Sequence, residues 1–252
     1  MAGHMSEARR EFELGLLLRS CSDVGCATSG LYATDAKGQR YVLSAADAFR
    51  GGARDEIVMR VDSGKRIGVA VPRAKRESTF LADAILAVEL DDDLNLRWSE
   101  ADELAHILPL ASMEDLLGEE VVAHFRSGTR SGIVAKTFVV GSQRSSDPKL
   151  ERVFQDGIEV RFSGIDGFQK GDAGTPVLNA QGAFVGLLIA GDPERALVAP
   201  IQRFLAKYDM KLLPPVGYDG VSARYAESLV KQAERVWKAE PELETLVEAA
   251  AA

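Results

Sequence analysis

Residues 167–178 decide the fold of this chain, and they read Gly-Phe-Gln-Lys-Gly-Asp-Ala-Gly-Thr-Pro-Val-Leu. Glycine adopts tight-turn backbone conformations that other residues avoid, so Gly171 and Gly174 predict a sharply turned loop around Asp172 and Ala173. In such a loop, neighbouring backbone N–H groups can point at one spot and bind a carbonyl oxygen or an oxyanion there. The proline and the apolar residues that follow lead into a β-strand.

The chain on both sides of this loop has the pattern of short β-strands joined by turns. An apolar stretch, a turn containing Gly, Asp, Asn or Ser, and a second apolar stretch recur, which is typical of a β-hairpin. The predicted hairpins cover residues 29–44, 56–71, 121–140 and 177–189. Regular short strands of this kind predict a β-sandwich or a β-barrel up to about residue 200.

Helical signals lie outside these hairpins. Residues 99–117 are polar and partly helical in character, and we interpret them as the connection between two β units. Pro200 predicts the start of a short helix that runs through Tyr208. Ser222 is a plausible N-cap of an amphipathic helix that Pro241 ends, and a second short helix follows. The apolar faces of these two tail helices consist of Tyr225, Leu229, Ala233, Val236 and Trp237, and of Leu243, Leu246 and Val247. This tail either packs on the β units or docks a partner.

Composition excludes several classes of function. The 252 residues carry a formal net charge of −8, which argues against nucleic acid, because phosphate binding needs clustered Lys and Arg. No apolar run approaches the roughly 20 residues that cross a bilayer, so no membrane association is predicted. The two cysteines, Cys21 and Cys26, favour reduced thiols in a cytoplasmic protein over a disulfide. No cofactor or metal is predicted, since Asp91–Asp93 has no second acidic cluster at calcium-loop spacing.

Three segments, in this order along the chain, resemble the catalytic loops of the chymotrypsin/trypsin-like serine proteases. Residues 41–49 resemble the apolar strand that ends in Thr/Ser-Ala-Ala-His, with Asp47 at the histidine position. Residues 82–88 resemble the segment that supplies the catalytic aspartate, with Asp83 at that position. Residues 171–176 resemble Gly-Asp-Ser-Gly-Gly-Pro, with Ala173 at the serine position.

The resemblance spans about residues 15–210 and implies an all-β fold of two antiparallel β-barrels of the trypsin-like type, to which a C-terminal α-helical tail is added. We expect a tag remnant at residues 1–5, a first β-barrel over 6–105, a second β-barrel with a short helix over 106–214, and the helical tail over 215–252. The resemblance also implies that the N–H groups of Gly171 and Ala173 form the oxyanion hole. It further implies that Gly167 forms the floor of a side-chain pocket and that Ile189, Ala190 and Gly191 bind the substrate backbone. A small or apolar substrate side chain suits this set of residues.

The departures from the family pattern determine the predicted function. In the family mechanism a histidine takes the proton of the serine, but a carboxylate at position 47 is a weaker base at neutral pH, and Ala173 has no nucleophile. The sequence therefore predicts a catalytically incompetent pseudoprotease that binds a protein or a peptide in the cleft between the barrels. Two alternatives stay open: an active serine endopeptidase that carries an inactivating Ser-to-Ala substitution at 173, and a structural scaffold whose helical tail binds a partner.

Overall fold

The computed structural model describes residues 10–20, 25–46, 57–71, 84–99, 105, 110–143, 152–163, 168–192 and 194–213, with the backbone alone at 141–143 and 152–153. The predictions for Asp47, Asp83, Gly167, Cys21 and the tail 215–252 concern residues outside these ranges. Cys26 lies inside them and carries a free thiol.

The described residues before 100 form the strands of the first half. Their bounds are β1 Arg10–Phe12, β2 Leu17–Ser20, β3 Ala27–Thr28, β4 Leu31–Asp35, β5 Arg40–Ala45, β6 Ile57–Arg60, β7 Arg66–Ala70, β8 Ile85–Leu90 and β9 Leu94–Leu96. Strand β5 is buried on both faces from Tyr41 to Ala45, as expected for a strand in the middle of a sheet that is covered on both sides.

The second half contains the six strands of a barrel, a short helix and a final strand. Their bounds are β10 Glu120–Phe125, β11 Gly128–Gln143, β12 Arg152–Phe162, β13 Pro176–Asn179, β14 Phe184–Gly191, β15 Ala196–Pro200, helix α1 Gln202–Lys207 and β16 Met210–Leu212. In β10, Val121, Ala123 and Phe125 are buried and alternate with more exposed residues, because successive side chains of a strand point to opposite faces.

The strands form one closed barrel and one large open sheet. The barrel has the order β10-β11-β12-β15-β14-β13, and the eight-stranded sheet has the order β16-β4-β5-β8-β7-β6-β2-β3. Strand β16 follows the second barrel in sequence, yet it pairs with β4 of the first half. Strands β1 and β9 pair separately and in parallel. The predicted all-β fold with two antiparallel β-barrel units is confirmed, with the first unit present as the eight-stranded sheet.

The predicted hairpins are confirmed by their pairing. Strand β4 pairs with β5, β6 with β7, β10 with β11, and β13 with β14, each antiparallel. The predicted short helix is present as α1, but it begins at Gln202 rather than at Pro200. Pro200 still belongs to β15, where it lies opposite Gly186, so the helix starts only after the barrel strand ends.

Two hydrophobic cores hold these sheets together within one compact unit. The barrel core lies inside the six strands and contains Val177, Leu188 and Val198. The shared core joins the first-half sheet to the outer face of the barrel, and it includes Leu187 and Phe204 of the second half. Neighbouring leucines of β14 therefore point into different cores. No helix in the described ranges is long and apolar enough to span a bilayer.

Candidate functional site

The loop from Phe168 to Thr175 has the tight backbone that its glycines predict. Gly171 has φ +102° and Gly174 has φ +94°, in the left-handed region that favours glycine. The side chain of Asp172 is 3% exposed, and its Oδ2 accepts a hydrogen bond from the Gln169 N–H at 2.7 Å. The Asp172 N–H in turn donates to the Gln169 carbonyl at 3.1 Å. The buried carboxylate thus closes the turn that precedes Ala173.

Hydrogen bonds fasten this loop to both halves of the molecule. On the barrel side, the Gly174 N–H donates to the Leu188 carbonyl at 2.7 Å. On the side of the first sheet, the Thr28 N–H donates to the Ala173 carbonyl at 2.7 Å, and the Thr28 hydroxyl donates to the Gly171 carbonyl at 2.6 Å. Ser44 Oγ donates to the Thr28 carbonyl at 2.7 Å. These bonds fix the position of the Ala173 backbone relative to strands β3 and β5.

Close backbone approach explains why position 174 is glycine. A methyl group added there would overlap the Thr28 carbonyl oxygen and would lie 2.9 Å from Ser44 Oγ. The opposite residue, Gly30, is similarly crowded, because a methyl group on it would lie 2.5 Å from the Gly174 carbonyl oxygen. The loop therefore packs backbone to backbone against the first sheet.

The N–H groups that were predicted to form an oxyanion hole have no acceptor among the described residues. Within the described part of the chain, neither the Gly171 N–H nor the Ala173 N–H donates a hydrogen bond, whereas those of Asp172, Gly174 and Thr175 do. The carbonyls of Gly171 and Ala173 are both occupied by Thr28. The loop thus has two N–H groups without an acceptor among the described residues, and their joint action on one oxygen stays a prediction.

The other two predicted catalytic positions, Asp47 and Asp83, lie outside the described residues. Their neighbours in sequence meet, because Ala45 of β5 pairs with Ile85 of β8. Ala45 also borders the loop, since its N–H would lie 3.2 Å from a methyl group on Gly174. The loop at Ala173 and these paired strand ends therefore occupy one region.

The predicted substrate strand forms the end of β14. Ile189 is buried in the shared core, Ala190 is half-buried and Gly191 is exposed. Strand β14 changes register between Leu188 and Ala190, and Gly191 lies opposite Ala196 of β15. Of these three predicted residues, only Ala190 and Gly191 are thus accessible to a ligand. Gly167, the predicted pocket floor, lies outside the described residues.

Sequence reasoning missed several residues that surround the loop. A methyl group on Gly171 would lie 2.9 Å from Leu17 Cδ2 and 3.6 Å from Cys26 Sγ, so these two side chains line the surface beside the predicted oxyanion hole. Thr28 and Ser44 are almost fully buried hydroxyl residues. The only sequence signal for them was a hydroxyl inside an apolar strand, which needs a buried hydrogen-bond partner.

Phe168 was also missed, and it contacts the predicted substrate strand. A methyl group on Gly191 would lie 3.0 Å from Phe168 Cδ2. The adjoining turn is held by Asp192, whose Oδ1 accepts hydrogen bonds from the N–H groups of Glu194 at 2.9 Å and Arg195 at 2.8 Å. Both hydrogen bonds lower the pKa of the Asp192 carboxyl, and the one from Glu194 has the larger effect.

Two other features lie outside the predicted site residues. A cleft of about 360 Å³ is lined by Thr28, which is bonded to the loop, by Pro176, which follows the loop, and by Glu13, Leu14, Trp98, His124 and Leu178 among other residues, but not by Ala173 or Gly171. The acidic stretch Asp91–Asp93 binds arginines, since Arg10 pairs with Asp91 and Asp93, and Arg66 pairs with Asp91.

A closed six-stranded antiparallel barrel, a second antiparallel sheet and a Gly-Asp-x-Gly loop where they meet define the fold of the chymotrypsin/trypsin-like serine proteases. Solved structures with this fold resemble the chain. Protease A of Thermobifida fusca has a TM-score of 0.59 at 13% identity, over 81% of this chain and 100% of that chain. The Nocardiopsis protease NAPase has a TM-score of 0.56 at 16% identity, over 80% of this chain and 98% of that chain. The alpha-lytic protease homolog N4 has a TM-score of 0.56 at 18% identity, over 81% of this chain and 100% of that chain.

At these identities the likeness establishes the fold alone. No protein-family model matches the sequence, and no curated protein matches it. The chymotrypsin/trypsin-like fold that the sequence predicted is confirmed.

Proposed function

We propose that this chain is a catalytically incompetent trypsin-like serine protease domain that binds a protein or peptide segment in the cleft at Ala173. One observation carries the proposal: in loop 171–174 the carbonyls of Gly171 and Ala173 and the N–H of Gly174 are hydrogen-bonded, the N–H groups of Gly171 and Ala173 have no acceptor among the described residues, and the side chain at 173 is a methyl group.

The chemistry separates binding from hydrolysis. Hydrolysis by this fold needs a nucleophilic hydroxyl and an imidazole base, and positions 173 and 47 supply a methyl group and a carboxylate. A carboxylate with an ordinary pKa near 4 is a poor base for a hydroxyl at neutral pH. Backbone recognition needs neither group, because an extended peptide can bond to N–H donors and to an exposed strand end.

Blocking Ala173 tests the binding function. Ala173→Leu places a larger side chain at the predicted oxyanion hole, and Ala206→Leu makes the same change at an exposed position of α1. An array of random decapeptides is incubated with each protein. We expect the wild type and Ala206→Leu to retain the same peptides and Ala173→Leu to lose them. Equal retention by Ala173→Leu would show that the peptides bind elsewhere and would refute the proposal.

Cys26 provides a second readout at the same place. Its thiol borders Gly171, so a peptide in the cleft should slow its reaction with iodoacetamide. The measurement uses a Cys21→Ser background, in which Cys26 is the remaining cysteine. Protection by array-selected peptides, but not by rejected ones, is the expected result. Unchanged alkylation with bound peptide would contradict the assigned site.

The second candidate function is an active endopeptidase that carries an inactivating residue at 173. The intact hydrogen-bond frame of the loop favours it, because this frame would serve a serine at 173 equally well. Ala173→Ser, alone and with Asp47→His, is treated with a fluorophosphonate probe. Labelling of the single revertant would establish this second function and refute the incompetent domain. Labelling of the double revertant alone supports a scaffold from which the chemistry was lost at both positions.

The scaffold hypothesis makes a different prediction. If the barrels only support the tail, the wild type should retain no peptide on the array, and deletion of residues 215–252 should abolish capture of a partner. Peptide retention that survives this deletion supports binding in the cleft.

A further inference from the structure

The side chain of Phe168 lies beside the predicted substrate strand. Phe168 directly follows Gly167, the predicted pocket floor, and its ring lies against Gly191, a predicted substrate contact. A methyl group on Gly191 would lie 3.0 Å from Phe168 Cδ2 and 3.2 Å from Phe168 Cβ. The ring therefore occupies the side of Gly191 to which a Cβ atom would project, although Gly191 remains exposed elsewhere.

Very little space remains beside this ring. The cavity next to it has a volume of about 10 Å³, which is room for about one water molecule. Its walls are formed by Phe125, Phe162, Phe168 and Ala196 together with the charged residues Arg130, Asp192, Glu194 and Arg195. Phe125 and Phe162 pack edge to face at a ring distance of 5.2 Å, so two packed aromatic rings form part of the wall beside Phe168.

Both walls of this space are held by hydrogen bonds. On one side, the residue after Phe168 is bonded to the buried carboxylate of Asp172. On the other side, the residue after Gly191 donates its N–H to the Arg195 carbonyl at 2.8 Å. Phe168 also packs against the barrel core. Moving the ring away would expose apolar surface to water, which is unfavourable.

We propose that Phe168 fills the side-chain pocket of the cleft, so that the domain recognises the main chain of an extended peptide with glycine or alanine next to Ala173. The inference rests on the proposed function and specifies its ligand. A peptide with a large side chain at this position must displace the ring, and we expect it to bind on the order of 10- to 100-fold more weakly.

Removal of the ring tests the specificity. Decapeptides selected on the array are synthesised with Gly, Ala, Leu or Phe at the central position, and their affinities are measured for the wild type and for Phe168→Ala. We expect Phe168→Ala to bind the Leu and Phe peptides roughly 10- to 100-fold more tightly than the wild type, with little change for the Gly peptide. Phe138→Ala is the matched control, because Phe138 is 52% exposed on β11 and lines no part of this cavity. A wild type that already prefers Leu or Phe, or an unchanged preference in Phe168→Ala, would overturn the inference.

A second measurement needs no peptide. An apolar cavity left by a removed ring can take up a small aromatic molecule, and a ligand that binds only the folded state raises the melting temperature. Toluene should therefore raise the melting temperature of Phe168→Ala by a few degrees, and leave the melting temperatures of the wild type and Phe138→Ala unchanged.

No effect of toluene on the melting temperature of Phe168→Ala would refute the filled pocket. Toluene stabilisation of Phe168→Ala together with no peptide binding by any protein would support the filled pocket and refute the proposed function. If Phe168→Ala fails to fold, Phe168→Leu provides a smaller cavity and the same order of preferences.

Discussion

The two halves of the molecule differ in where the side chains of their hydrophobic cores come from. The second half closes six strands around a core that it supplies alone. The first half is an eight-stranded sheet whose core takes side chains from the outer face of the barrel and from α1, and whose edge is completed by β16 from the C-terminal side. The barrel is self-contained, whereas the first sheet is finished by residues of the second half.

This difference explains the position of the candidate site. A loop that belongs to the barrel but must stay in register with the first sheet needs bonds to both, and loop 171–174 has them through Leu188, Thr28 and Ser44. The site thus lies at a junction where hydrogen bonds join the two halves, and mutations that disturb the packing at this junction should destabilise the protein.

The largest effect is expected for Gly174→Ala. Its methyl group would overlap the Thr28 carbonyl, and its φ is +94°. We expect a loss of about 4 kcal/mol in the free energy of unfolding, because overpacking adds to the cost of a left-handed residue. Urea denaturation measures it.

Gly38→Ala is the control for this change. Gly38 has a similar φ of +81° with nothing within 4 Å of the added methyl group, so only the backbone cost of about 1–2 kcal/mol applies. Equal losses in the two variants would mean that the junction is not tightly packed.

The next effect separates the two cores on one strand. Leu187 points into the shared core, where its Cδ2 would lie 2.5 Å from a methyl group on Gly30, and Leu188 points into the barrel core. Each Leu→Ala variant should lose about 3 kcal/mol. In hydrogen exchange followed by mass spectrometry, Leu187→Ala should raise exchange in β5 and β8 as well as in the barrel, and Leu188→Ala should raise it first in the barrel. Identical exchange patterns would contradict the separation of the cores.

Local sequence patterns were enough to predict much of this fold. Hairpins such as 29–44 combine apolar strands with a Gly-containing turn, and such pairs form between neighbours in sequence. The pairing of Met210–Leu212 with β4 joins residues far apart in sequence, and no local pattern contains that information. The start of α1 was misplaced because proline fits both the end of a strand and the first turn of a helix.

The site could be predicted only at positions where the backbone conformation restricts the residue type. Gly171 and Gly174 indicate a tightly turned loop, because other residues avoid positive φ. Phe168 gives no such signal, since an aromatic residue after Gly167 fits a pocket wall, a core position or an exposed loop equally well. Its contact with Gly191 depends on how two distant segments approach each other, and only the three-dimensional structure contains it.

A smaller effect is expected for Thr28→Val, which keeps the shape of the side chain and removes the hydroxyl that bonds the Gly171 carbonyl. The buried carbonyl loses its partner, and we expect a loss of about 2 kcal/mol in the free energy of unfolding. Thr34→Val is the control, because among the described residues the Thr34 hydroxyl is bonded only to the adjacent Asp35 carbonyl, at 3.3 Å. It should cost less than about 0.5 kcal/mol. Weaker binding of array-selected peptides by Thr28→Val alone would link this hydroxyl to the cleft, and unchanged stability of Thr28→Val would contradict the anchoring role.

The smallest effects compare two exposed turn carboxylates, one in each half. Hydrogen bonding to Arg60 lowers the pKa of Asp62 to about 2, and backbone hydrogen bonds from Glu194 and Arg195 lower the pKa of Asp192. A folded-state pKa below the unfolded value of about 4 gives stability that is present above pH 4 and is lost as the pH falls through the folded-state value. Asp62→Asn and Asp192→Asn should therefore lower the urea midpoint slightly at pH 7, and the difference from the wild type should shrink as the pH falls through the folded-state pKa, which is about 2 for Asp62. Because salt screens an exposed ion pair, 1 M NaCl should remove the difference for Asp62→Asn and preserve it for Asp192→Asn, whose partners are backbone N–H groups. Loss of both differences in salt would mean that the Asp192 turn is held by charge rather than by its hydrogen bonds.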